Sequence, residues 1–227
     1  MKVEDSRRDG SHSVNSHASL TMVQGDKLIS DREASRLGRA LFYGEKCRKN
    51  YRKAFPYLFQ AANAGFVHSQ NLVGYCYAEG LGVQKDDRQA MLWFRAATGG
   101  GHVEAPFNLA LAYDFGTGVR MNLRKALDYY RQAARLGNIA AQCNLGVAYL
   151  EGRGTKCDPP TGLYWLRRAA RRGDMRAQYN LGLAYLEGEV VRRNLRAAKT
   201  WLTHAAGMGH VAARKLMHKI DGHNPRA

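Results

Sequence analysis

Ala177-Gln178-Tyr179-Asn180-Leu181-Gly182-Leu183-Ala184-Tyr185-Leu186-Glu187-Gly188 decides the fold of this chain, because its key positions return upstream at one fixed interval. Stepping back from Leu181 by 36 residues gives Leu145, Leu109, Val73 and Leu37. The next position holds Gly182, Gly146, Ala110, Gly74 and Gly38, and three residues further on stand Tyr185, Tyr149, Tyr113, Tyr77 and Leu41. Leu, a small residue and Tyr at i, i+1 and i+4 share one side of an α-helix. The small residue admits a close neighbour, and the aromatic fills the space beside it. Gly188, Gly152, Gly116, Gly80 and Gly44 then end the helix, since glycine takes the left-handed conformation of a C-cap.

Outward from this segment the register continues into a second helix. Asn50, Asp86, Asn122, Asp158 and Asn194 stand where it begins, each able to accept hydrogen bonds from orphan backbone amides. Pro159 follows Asp158 in the first turn, where proline is favoured. Tyr57, Trp93, Tyr129, Trp165 and Trp201 come seven residues after the cap, then Ala61, Ala97, Ala133, Ala169 and Ala205. Gly65, Gly101, Gly137, Gly173 and Gly209 close the copies, with no insertion among them. A repeat of this length is a helix-turn-helix hairpin that buries its apolar face only against its neighbours. The periodic tryptophans read as core. The copies differ locally: Pro56 predicts a kinked or late-starting second helix in repeat one. Gly99-Gly100-Gly101 forms a soft joint, Pro106 sits near a helix start, and Val190-Val191 displaces the second turn glycine of repeat five.

The segment Ala177–Gly188 resembles the first half of a Sel1-like repeat (SLR). Gly80-Leu81-Gly82-Val83, Asp86, Ala90, Trp93, Ala96-Ala97 and Gly101 resemble the second half. The family is a subclass of the tetratricopeptide-like superfamily, and the resemblance covers about residues 31 to 220. It implies a right-handed α-solenoid whose members mostly serve as adaptors and scaffolds for other proteins. The expected architecture is all-α: repeats over 30–65, 66–101, 102–137, 138–173 and 174–209, then a capping helix over 210–220. Residues 1–29, rich in Ser, His, Asp and Arg without helical period, are expected to be loosely ordered, and 221–227 form a C-terminal tail.

No apolar stretch reaches the roughly 20 residues that cross a bilayer, and the N-terminus lacks the apolar core of a secretory signal. The chain therefore reads as cytoplasmic, unless a native signal has been trimmed. Cys47, Cys76, Cys143 and Cys157 show neither a pairing pattern nor a C-x-x-C spacing, so reduced thiols are expected and a zinc site is not. None of the eight histidines falls in a ligand motif, and the glycine-rich turns lack phosphate-loop spacing. The expectation is a non-enzyme with no cofactor and no metal.

The formal charge is +16, unevenly placed. Residues 1–29 net zero, while repeat one is rich in cations and repeat two is balanced. Arg167, Arg168, Arg171 and Arg172 run along the second helix of repeat four, and Arg192 and Arg193 follow in repeat five. These basic edges point to an acidic protein partner, or else to a solvated outer face whose long stems cover apolar surface. On the first helices, the face opposite the Leu-Gly-Tyr stripe is expected to line a concave groove. Its candidate contacts are Glu104 and Asn108, then Asn144 and Glu151, then Arg176, Asn180 and Glu187. Asn108, Asn144 and Asn180 form a ladder that suits the backbone of an extended peptide, or else serves helix packing. The function that follows is an adaptor binding a peptide or an acidic protein surface. The alternative is a basic regulator binding nucleic acid or another polyanion.

Overall fold

The computed structural model describes residues 23, 24 and 27–222. Two short strands, β1 (Val23–Gln24) and β2 (Lys27–Leu28), pair antiparallel. Ile29 follows, buried against Ala34 and Ala61. The remainder of the N-terminal 29 residues and residues 223–227 lie outside the described residues.

Eleven helices follow among the described residues. They are α1 (Asp31–Tyr43), α2 (Tyr51–Asn63), α3 (Val67–Glu79), α4 (Asp87–Gly99), α5 (Ala105–Phe115) and α6 (Leu123–Arg135). Then come α7 (Ile139–Glu151), α8 (Pro159–Arg171), α9 (Met175–Glu187), α10 (Leu195–Gly207) and α11 (Val211–Gly222). Each odd helix from α1 to α9 pairs with the even one after it, and each hairpin packs on the next. This is the all-α solenoid with its capping helix, α11, whose Ala213 is fully buried beneath the fifth hairpin. First helices of neighbouring repeats touch one another, α1 against α3 and α7 against α9, which places them on the inner side of the curve.

The turn chemistry matches the register. Asn50, Asp86, Asn122, Asp158 and Asn194 each accept a backbone amide at the start of the second helix. Gly80 closes α3 at φ 70°, and the same left-handed cap recurs at Gly44, Gly116, Gly152 and Gly188. The second turn glycine has another cause. A methyl group on Gly82, Gly118 or Gly154 would collide with the backbone carbonyl of Tyr51, Asp87 or Leu123, at the start of the preceding repeat's second helix. Pro56 does not delay α2, which starts at Tyr51 under the Asn50 cap and carries the proline within it. Pro106 lies in the first turn of α5, where its missing N–H costs least.

The inner core sits one residue beyond the tryptophan register. Leu58, Leu166 and Leu202 are fully buried, and Phe94 and Tyr130 nearly so. Trp93 is buried, whereas Trp165 and Trp201 are half-buried and lie against the cluster edges. One helical residue turns the direction by about 100°. That turn points Leu166 at Gly146, where a Cβ would stand 2.6 Å from its Cγ, and Leu202 meets Gly182 in the same way. The small residue of each first helix is therefore the seat for this side chain. Gln70, Gln142 and Gln178 add a polar tie, each donating to a carbonyl near the end of the preceding second helix.

Candidate functional site

The register that builds the core also defines the inner face. Positions 32, 68, 104, 140 and 176 begin a stripe that continues four, seven and eleven residues later on each first helix. In repeats four and five the stripe carries Ala140, Asn144, Val147 and Glu151, then Arg176, Asn180, Leu183 and Glu187. Asn144, Val147, Arg176 and Asn180 line a hollow of about 210 Å³ together with Asp114, Phe115, Tyr130 and Arg153. Among the groove residues expected from sequence, the fold thus brings Asn144, Arg176 and Asn180 to one site.

The others stand apart from it. Asn108 is half-buried and donates from Nδ2 to Oδ1 of Asn71 at 3.2 Å, a link between the first helices of repeats two and three. Glu104 precedes α5 with its side chain exposed, and its backbone N–H donates to Nδ1 of His102. Glu151 and Glu187 are exposed at the ends of α7 and α9. Glu104, Asn108, Glu151 and Glu187 do not line the hollow.

Sequence reasoning missed the residues that shape the floor. Asp114 is a buried carboxylate with both oxygens engaged. Tyr130 Oη donates to Oδ2 at 3.0 Å, and Arg153 Nη2 donates to Oδ1 at 2.6 Å. Burial pushes the Tyr130 phenol up, which keeps it protonated and a donor. A buried carboxylate without such partners would be strongly destabilising. The signal was a departure from the register. Asp114 stands where other copies have Phe42, Ala78, Leu150 and Leu186, and Tyr130 where they have Leu58, Phe94, Leu166 and Leu202. Cys143 also lines the hollow, and burial holds its thiol up at about 12, so it is not a nucleophile at neutral pH. All four cysteines are free thiols, Cys76 and Cys143 buried and Cys47 and Cys157 exposed. Among the described residues, no group of three or more His, Cys, Asp or Glu gathers to hold a metal ion.

The basic edge resolves into two kinds of arginine. Arg95, Arg131 and Arg167 stand 36 residues apart, and each donates to the hydroxyl of Tyr113, Tyr149 or Tyr185 on the next repeat, at 3.2, 2.9 and 2.6 Å. Arg167 is thus a latch between hairpins. Arg172 donates to the Gly137 carbonyl at 2.6 Å, and Arg168 donates to Tyr164 while lying over the Trp165 ring. Arg171, Arg192 and Arg193 are exposed.

Helical hairpins that each pack on the next define an α-solenoid repeat protein. Within that class the chain belongs to the Sel1 repeat family, whose model matches residues 34–66, 67–102, 103–138, 139–174 and 176–210. Two solved structures are similar in sequence as well as fold. A Sel1 repeat protein from Oxalobacter formigenes is 31% identical, with 84% of this chain and 78% of that one covered and a TM-score of 0.76. The protein c5321, a protective antigen of uropathogenic Escherichia coli strains, is 32% identical with a TM-score of 0.79; the match covers 84% of this chain but 41% of that one. An immunity protein of Pseudomonas aeruginosa shares the fold alone, at 21% identity over 81% of this chain and 66% of that one, with a TM-score of 0.52. No curated protein matches the chain. Sel1 repeat proteins generally mediate protein–protein interactions and are typically non-enzymatic scaffolds. Among the described residues, no helix is long and apolar enough to cross a membrane.

Proposed function

We propose that this protein is a non-enzymatic adaptor that holds an extended segment of a partner protein in the groove of repeats three to five. The observation that carries this reading is the convergence of Asn144, Asn180 and Arg176 on one hollow with a prearranged polar floor. Side-chain amides offer both a donor and an acceptor, which suits the alternating groups of an extended backbone. Val147 and the strongly exposed Phe115 supply apolar contact beside them. Asp114 is already neutralised by Arg153 and Tyr130, while Arg176 lies 3.8 Å from Asp174 and keeps a largely exposed guanidinium that favours an acidic side chain on the peptide.

Arrays of random peptides, probed with labelled protein, test the reading. Peptides bound by the wild type and lost by Asn144→Ala with Asn180→Ala, at unchanged helicity and well below the melting transition of the variant, support it. Equal binding by the variant removes the groove from consideration.

A further inference from the structure

The same inner stripe in repeat one reads Arg32, Arg36, Arg39 and Tyr43, against Ala140, Asn144, Val147 and Glu151 in repeat four and Arg176, Asn180, Leu183 and Glu187 in repeat five. All four side chains are exposed on one face of α1. The three arginines line a second, wider hollow of about 570 Å³, with Ser30, Ser35 and Phe66. Glu33 and Glu45 also border it, yet neither lies within ion-pair distance of these guanidiniums, which have no carboxylate partner among the described residues. On the second-helix edge, by contrast, Arg167, Arg168 and Arg172 are held by hydroxyls or a carbonyl.

A hydrogen-bonded chain leads into this end of the groove, and its direction can be deduced. The Glu104 N–H donates to His102 Nδ1 at 3.2 Å, so the proton of neutral His102 sits on Nε2. That Nε2–H faces His68 Nδ1 at 3.3 Å, which leaves the His68 proton on Nε2. His68 Nε2–H in turn faces the Tyr43 hydroxyl oxygen at 3.3 Å. Tyr43 therefore accepts from within the protein and keeps its own O–H to donate outward, one turn beyond Arg39.

We infer that the repeat-one end of the groove is an anion-accepting subsite, in which Arg32, Arg36 and Arg39, with the Tyr43 hydroxyl, bind clustered carboxylates of an acidic protein segment. The inference rests on the adaptor reading for its biological setting, but its site is separate from the asparagine hollow. Charge along the groove selects the occupant. Glu79, Glu151 and Glu187 border the inner face in the later repeats, and Glu33 and Glu45 flank the arginines. A continuous polyphosphate would be repelled by those groups, whereas a short acidic cluster followed by neutral chain meets cations only where they stand.

Anisotropy of a labelled glutamate hexapeptide, at about 0.1 M salt so that distant charges are screened, tests this. The controls are a glutamine hexapeptide and a short single-stranded DNA of equal charge. The glutamate probe is expected to bind and the glutamine probe not to. Arg32→Ser with Arg36→Ser and Arg39→Ser should weaken glutamate binding by roughly tenfold or more, since each exchange removes a charge-assisted contact. Arg168→Ser with Arg171→Ser and Arg193→Ser removes the same charge elsewhere and should leave it within about twofold. Asn144→Ala with Asn180→Ala should also leave it unchanged, which separates failure of this subsite from failure of the groove reading. Should the repeat-one triple variant lose helicity, Arg36→Gln alone is the arbiter, with a drop of roughly threefold expected. Equal losses in the two triple variants, no preference for glutamate over glutamine, or DNA binding as tight as glutamate would each overturn the proposal.

Discussion

Repeat one differs from repeats two to five in what it does with charge, although one backbone plan builds them all. In the later repeats charge is engaged internally: Asp114 is held by Tyr130 and Arg153, and Arg95, Arg131 and Arg167 latch onto tyrosines of the next hairpin. In repeat one the latch position is Phe59, which packs against Trp93, and the arginines of α1 face the groove without a carboxylate partner. A repeat can therefore exchange an internal polar tie for an aromatic one, which frees its cations for a ligand. The difference resides in side chains at equivalent positions, not in the backbone.

Four measurements can break or sharpen this contrast. The largest effect belongs to the shared scaffold. Leu58→Ala and Leu166→Ala should each cost about 2–5 kcal/mol in urea unfolding, because both leave a cavity opposite a glycine seat. Trp165→Ala, at a half-buried site, should cost about 2 kcal/mol or less. A Leu58 cost far below that of Leu166 would mean the two regions are not equally built. Next in size, Asp114→Ala should cost about 1–3 kcal/mol, since it strands the buried Tyr130 hydroxyl. Thermal unfolding of the variant measures it, and a neutral result would dissolve the internal network as a distinguishing feature.

A smaller, pH-dependent effect should mark the early repeats. Burial lowers the pKa of both His68 and His102, with Arg39 adding to the fall at His68 and Glu104 opposing it at both. The unfolded chain then binds protons first, so stability is fully present above the ordinary histidine value of about 6.5 and is lost as pH falls toward the folded values. Protonation also breaks the directional chain, because His102 Nδ1 and His68 Nδ1 both act as acceptors. Urea midpoints between about pH 7 and pH 5 should fall for the wild type and flatten in His68→Gln with His102→Gln. The smallest effect is expected at Asn144 and Asn180. Their double alanine exchange, at half-buried positions, should change stability by about 1 kcal/mol or less and show itself mainly in peptide capture.

The fold was legible because every copy repeats the same physical demands. Caps at Asn50 and Asp86, left-handed glycines and small seats recur at one interval, and each demand is local. The candidate site was legible in part. Asn144, Arg176 and Asn180 follow from helical periodicity, since they share a face. Asp114 and Tyr130 were visible only as departures from the register, and nothing local says that a departure is answered by a partner 16 or 39 residues away. Trp93 is buried as the register suggests, but Trp165 and Trp201 misled for a related reason: large periodic aromatics look central, while the interior is set by which side chain points at the glycine seat.

The amino-acid order alone determined that this is a five-hairpin solenoid with a capping helix, and which residues cap its helices. The local rules of capping and helical period fix those things. Tertiary structure alone decided which cations are committed and which are available. An arginine's reach exceeds a helical turn, and only the stacking angle of the next hairpin brings Tyr185 to Arg167 while leaving Arg36 facing open space.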